Sequence, residues 1–151
     1  MRVAFVRHGE KMSGETDPEL TSAGWRMATE TGIWLAERGI SPGLVVLTPT
    51  ERTRQTADAL STALPPAPRE EWPTLPESAD DWKRRLDPLA RRLGPGGWLL
   101  MVGHNPTLHF LAETFGPPPV PVPHHHFASA LILEPGVRGW RCSDAWPGRA
   151  G

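Results

Sequence analysis

One cysteine, Cys142, is all this chain contains. That excludes an internal disulfide framework and a cysteine-based zinc cluster. Lysine is scarce as well: Lys11 and Lys83 stand against 14 arginines. Net charge is small, −1 at pH 7, with 16 basic and 17 acidic residues. A chain so balanced is neither a charge-driven nucleic-acid binder nor a polybasic membrane binder. Long apolar runs are missing. Trp98–Val102 and Phe127–Leu133 are the longest, far below the ~18–20 residues of a membrane span. The apolar stretch near the start, Val3–Val6, is cut off by Arg7-His8. It is too short for the apolar core of a signal peptide, which leaves the cytoplasm as the expected address.

What is present reads as one domain over residues 1–151. Hydrophobic residues at 38%, with 15 glycines, suit a globular rather than a disordered chain. Strand-like apolar runs at Val3–Val6, Leu44–Leu47 and Trp98–Val102 alternate with helical patterns. The first helix is predicted to open at Thr21 or Ser22 and stop near Gly39. The second runs from Thr48-Pro49-Thr50 to about Ala63. The third runs from Glu77 or Ser78 to Leu93, with Pro88 kinking it or ending it early. The fourth begins at Pro106, as its first residue, and reaches about Phe115. Pro65–Pro76 and Pro117–Pro123 each hold five prolines; the first is a connection with a short extended piece around Arg69–Trp72, and the second cannot be helix. Phe127–Leu133 and Val137–Cys142 read as a hairpin turning at Glu134-Pro135-Gly136, and Ala145–Gly151 as a frayed tail.

Alternation of this kind implies an α/β sheet covered on both faces, with ligands outside the carboxyl ends of its strands. Those ends carry the chemistry. Arg7-His8-Gly9-Glu10 follows the first strand, Thr48-Pro49-Thr50-Glu51-Arg52 the second, and Gly103-His104-Asn105 the third. Two histidines and two arginines from three segments converge on one edge. Arginine presents a fork that matches phosphate oxygens. Helix N-termini add N–H donors, and a neutral imidazole can attack phosphorus. There is no nucleotide P-loop and no dense carboxylate cluster for a two-metal site. Metal-free phosphoryl transfer through histidine, with no cofactor, fits this inventory.

Four blocks carry a resemblance. They are Val6-Arg7-His8-Gly9-Glu10, Leu20-Thr21-Ser22-Ala23-Gly24, Thr48-Pro49-Thr50-Glu51-Arg52-Thr53-Arg54-Gln55-Thr56-Ala57 and Val102-Gly103-His104-Asn105-Pro106. In this order they resemble the histidine phosphatase (phosphoglycerate mutase-like) superfamily, and its small SixA-like phosphohistidine phosphatase branch. The resemblance implies a three-layer α/β/α sandwich with a mostly parallel central sheet. It implies His8 as the nucleophile that becomes phosphohistidine, Arg7 and Arg52 as phosphate clamps, and His104 as a second histidine on the phosphoryl oxygens. It selects Arg52 over Arg54, which reads as a solvated helix position. Thr48 stands where the family has serine and keeps the hydroxyl. Thr21 reads as a helix cap.

Glu77, in Leu75-Pro76-Glu77, is the candidate general acid; its other reading is a carboxylate at a helix N-terminus. His124-His125-His126 invites a metal, yet neighbours on a strand face opposite ways, and no metal site is expected. One of the three could line the pocket rim. Only about 34 residues, Leu64–Gly97, separate the second helix from the third strand. That length points to an open site without a lid. The expected substrate is a phosphoprotein carrying phosphohistidine. The alternative is a small phosphomonoester, of the sugar phosphate or α-ribazole phosphate type. A non-catalytic phosphate-binding module is a third reading. Inorganic phosphate and other oxyanions are expected to compete, and activity is expected to fall before pH 4 as His8 protonates.

Overall fold

The computed structural model describes residues 1–150. Its elements are β1 (Arg2–Arg7), α1 (Ser22–Glu37), β2 (Leu44–Leu47), α2 (Glu51–Leu60), β3 (Arg69–Glu71) and α3 (Ala79–Leu93). They continue with β4 (Trp98–Gly103), α4 (Asn105–Phe115), β5 (His126–Phe127), β6 (Ala130–Gly136), β7 (Gly139–Trp146) and β8 (Arg149–Ala150). Six strands form one sheet in the order β3-β2-β4-β1-β6-β7, and β5 pairs with β8 apart from it. The pairs β2·β3, β2·β4 and β1·β4 are parallel; β1·β6 and β6·β7 are antiparallel.

Side-chain alternation sorts the core into two layers. Val3, Phe5, Val46, Leu99, Met101 and Leu131 meet Trp82, Leu86 and Leu89 of α3 and Leu108 and Leu111 of α4. Ala4, Val6, Val45, Leu47, Leu100 and Val102 meet Trp34 and Leu35 of α1 and Ala57 and Leu60 of α2. The sandwich is therefore α/β/α, with β1, β2 and β4 buried on both faces as their unbroken apolar runs require. Among the described residues no helix is long and apolar enough to cross a membrane.

Local signals placed the helices well. Thr21 caps α1, its Oγ1 accepting from Gly24 N at 2.9 Å, and Ser78 caps α3 by accepting from Asp81 N at 3.2 Å. Five expectations need correction. Pro88 does not end α3. It faces solvent, where the carbonyl it leaves unpaired can be hydrated, while buried Trp82, Leu86 and Leu89 hold the helix on either side. Helix α2 stops at Leu60, and α4 takes Pro106 as its second residue. The hairpin turns at Val137-Arg138, between paired Gly136 and Gly139, the latter at φ +106°. Pro135 is inside β6, beyond the stretch that pairs with β1, so its missing N–H costs no ladder bond there. Finally, the tail is ordered through Ala150. β7 runs on to Trp146, whose ring packs on Trp34 at 6.0 Å between centroids, and β8 pairs with β5.

Candidate active site

In the sheet β1 and β2 flank β4, so their three carboxyl ends lie side by side. Arg7 closes β1, His8 follows it, Thr48 follows β2 and His104 follows β4. The main chain is locked there: Arg7 N donates to Ser129 O and His8 N to Gly103 O, both at 2.9 Å. Two glycines allow the next segment to approach. A Cβ on Gly24 would lie 2.1 Å from Glu10 O, and one on Gly9 would lie 2.5 Å from Gly24 O. The contact fixes the loop after His8 against the first turn of α1.

His8 is 5% exposed. Its Nδ1 lies 2.7 Å from Gly9 O. A carbonyl only accepts, so Nδ1 carries the proton and Nε2 keeps its lone pair. The ring stands edge-on to His104, with centroids 5.4 Å apart, and 6.0 Å from Phe127. Burial pushes His8 down to about 3, helped by the charges of His104, Arg52 and Arg7 and opposed by the bond to Gly9. Burial, then Arg52 and Arg7, brings His104 down to about 4. Both rings are therefore neutral at pH 7. The fall in activity expected from protonation of His8 before pH 4 shifts to stronger acid, because burial outweighs everything else acting on that ring.

Arg7 is 8% exposed. Its Nη1 donates to the carbonyls of His124, at 2.7 Å, and His126, and its Cζ lies 4.6 Å from the centre of the Phe127 ring. Arg52, on the first turn of α2, faces Asp17 at 4.0 Å. His104 is oriented by Thr48, whose Oγ1 is 2.7 Å from Nε2. Thr48 in turn reaches the Thr53 hydroxyl at 3.2 Å, and Thr53 donates to Thr48 O at 2.6 Å. The hydroxyl retained at position 48 thus sets the angle of the second ring. Among the described residues, five buried side-chain polar atoms lack a partner; Trp82 Nε1 is in the core against α4, and the other four, Arg7 Nε, Arg52 Nε, Asn105 Oδ1 and Ser129 Oγ, belong to residues at or next to these strand ends. Orphaned buried groups are rare in folded proteins, and two guanidinium donors among them mark a place made for an anion.

Glu77 does not touch either histidine ring. It lines a cleft of about 380 Å³ that His104, Thr48, Thr50, Leu75 and Thr107 share with it. Arg54 points away from the site, bridging Glu71 at 2.6 Å and Glu51 at 3.0 Å. His124, His125 and His126 give the site their backbone: two of their carbonyls hold Arg7, while the His126 ring turns to Pro147 O, 2.8 Å from Nδ1. Sequence reasoning missed two supports. Thr56 Oγ1 accepts from Gly9 N at 3.0 Å, and Gln55 Oε1 accepts from Leu20 N at 2.7 Å. Gln55 and Thr56 stand in the third motif block, and only the fold shows what each side chain grips. Ala128 went unnoticed too. It sits at φ +54°, held by His8 O, which accepts from its N–H at 3.0 Å, and by Thr31 Oγ1, which donates to its carbonyl at 2.6 Å. An alanine so placed is strained, and such strain concentrates at functional sites.

Solved structures share this architecture. The protein histidine phosphatase SixA in complex with tungstate superposes with a TM-score of 0.79, at 19% identity and with 96% of each chain covered. Bacillus stearothermophilus YhfR gives 0.68 at 16% identity, covering 95% of each chain. The mycobacterial glucosyl-3-phosphoglycerate phosphatase bound to VO3 gives 0.61 at 19%, covering 99% of each. At such identities the likeness speaks for the fold. No curated protein matches the chain in sequence. The model of the histidine phosphatase superfamily (branch 1) matches residues 3–95, which takes in the His8, Thr21 and Arg52 blocks and stops short of His104. With most of its length matched, the chain belongs to the histidine phosphatase superfamily.

Proposed function

We propose that this protein is a phosphatase that works through a phosphohistidine on His8, without a metal, and that its substrate is a phosphohistidine-bearing protein, as for SixA. One observation carries the reading: His8 offers a neutral Nε2 with its lone pair free, buried beside two guanidinium groups. Arg7 and Arg52 would hold the phosphoryl oxygens, and His104 would meet them as they gain charge. Nε2 attacks phosphorus and the bond to the leaving atom breaks. Water then attacks the phosphohistidine, releasing inorganic phosphate and restoring the neutral ring.

Glu77 is the carboxylate of the adjoining cleft, and it is our candidate for the proton that an alkoxide leaving group needs. A phosphoramidate takes that proton on its own nitrogen and asks less of the protein. The cleft itself favours a second reading. At about 380 Å³ it also has room for a small phosphomonoester such as a sugar phosphate. Tungstate and vanadate, which occupy two of the similar structures, should inhibit.

The test is hydrolysis of an aryl phosphate and of a phosphohistidine peptide in EDTA, wild type beside His8→Ala. Turnover by wild type alone is expected, with a phosphoenzyme that survives alkali and is lost in acid. No turnover on either substrate ends the phosphatase reading; abolition by EDTA ends the metal-free mechanism. Higher kcat/KM on a sugar phosphate than on the peptide selects the second substrate class.

A further inference from the structure

The two carbonyls that grip Arg7 belong to a segment with little hold of its own. His126 and Phe127 form a strand of two residues, and its partner is not the main sheet but β8. His126 pairs with Ala150 and Phe127 with Arg149. The His126 ring donates from Nδ1 to Pro147 O at 2.8 Å. Gly148, at φ +69°, packs so tightly that a Cβ there would lie 2.2 Å from Phe127 O and 2.9 Å from Ser129 N. Arg149 then ties the segment to α1, its Nε donating to Glu30 Oε2 at 2.6 Å. Every contact of residues 147–150 named here leads to 126–129 or to α1. The strand they clasp touches the site three times, through the His126 carbonyl on Arg7, the Phe127 ring beneath its guanidinium and the same ring beside His8.

We propose that Gly148 and Arg149 are positioning residues for Arg7: the 147–150 segment fixes the carbonyls and the ring that aim its guanidinium into the phosphoryl pocket. Main-chain placement is the means. Gly148 is required because any side chain would strike two backbone atoms, and the positive φ suits glycine alone. Arg149 acts at the surface, and its ion pair contributes less than the glycine contact does. A guanidinium displaced by ~1 Å loses its two-point match to phosphate, and misplacements of that size cost rate steeply. Nothing in residues 143–151 belongs to the four motif blocks, so the dependence is invisible to motif reading.

The inference rests on Arg7 binding the phosphoryl group. The experiment therefore measures vanadate affinity by calorimetry, and kcat and KM on an aryl phosphate, for Gly148→Ala, Arg7→Lys and the double variant. Gly148→Ala is expected to weaken vanadate binding about tenfold and to raise KM more than it lowers kcat. On the Arg7→Lys background the same change should cost less than twofold, since lysine cannot use the aimed fork. Equal losses on both backgrounds, or full vanadate affinity in folded Gly148→Ala, overturn the proposal. Full affinity in Arg7→Lys alone overturns the reading of Arg7 instead. A chain ending at Pro147 leaves both main core layers untouched. It serves in the same cycle if the alanine variant does not fold. Arg149→Ala should weaken binding about twofold, with rescue by Arg149→Lys.

Discussion

Besides His109 on α4, the molecule holds two sets of histidines, and it uses them in opposite ways. His8 and His104 stand alone in sequence, at the ends of β1 and β4. Their rings are sunk into the sheet edge and kept neutral by burial and by two arginines. His124, His125 and His126 are consecutive and draw the eye, yet the site takes main-chain carbonyls from them. The difference lies in what surrounds the side chain. A buried strand end keeps an imidazole neutral. At the surface the exposed rings of His124 and His125 face each other, 6.0 Å between centroids, while the His126 ring, on β5, is tied to Pro147 O.

The widest break in this comparison is His8→Asn. Loss of the proposed nucleophile should cost about 10⁴-fold or more in kcat, whereas His124→Ala, which keeps the carbonyl that holds Arg7, should stay within about twofold, both read by aryl phosphate hydrolysis. Equal effects would erase the distinction between the two sets. Arg52→Ala should lower kcat/KM about 10²-fold, as loss of a charged phosphoryl contact does. Arg54→Ala, which only breaks surface ion pairs with Glu51 and Glu71, should barely change stability and leave kcat alone.

Acid sharpens the contrast through stability. His8 stays neutral in the fold down to about 3, while in the unfolded chain it titrates near 6.5. Between those values only the unfolded chain takes up the proton. Stability is therefore full above pH ~6.5 and is lost as pH falls toward 3. At pH 5 the loss from His8 is about 2 kcal/mol, and His104, brought down to about 4, adds its own; chemical denaturation at pH 7 and pH 5 should show a drop in wild type that shrinks in His8→Asn by the His8 share. A like drop in both would mean that other groups carry it. A smaller effect on rate than at His8 or Arg52 is expected at Glu77. Glu77→Gln should slow hydrolysis of an alkyl phosphate about tenfold and of a phosphoramidate less than twofold; equal slowing would remove its part as an acid.

Much of this was legible in the sequence, and the particulars show why. The strand ends could be read because buried parallel strands are unbroken apolar runs, so the residue that stops each run is also the residue at the sheet edge. Thr21 and Ser78 could be read because capping is local chemistry. Pro88 misled because its cost depends on which way the helix faces, and that is settled by Trp82, Leu86 and Leu89 packing on the sheet. The hairpin turn was displaced because Glu134-Pro135-Gly136 looks like a turn until the register with Trp140 and Arg141 places it in the ladder. The grip of Gly148 on Phe127 O joins residues 21 apart through backbone alone, and no side-chain pattern announces such a contact.

His8 leans on a peptide carbonyl, where many functional histidines lean on a carboxylate. A carboxylate would raise the basicity of the ring strongly; the bond to Gly9 O raises it too, but burial outweighs that bond and keeps the ring a weak base. A weak base attacks slowly and departs readily. A phosphoryl group on such a ring has a high group-transfer potential, and water would discharge it soon after it forms. If His8 carries the phosphoryl group as proposed, loading is expected to be the slow half-reaction, and rapid-mixing hydrolysis of an aryl phosphate should then show no initial burst of product.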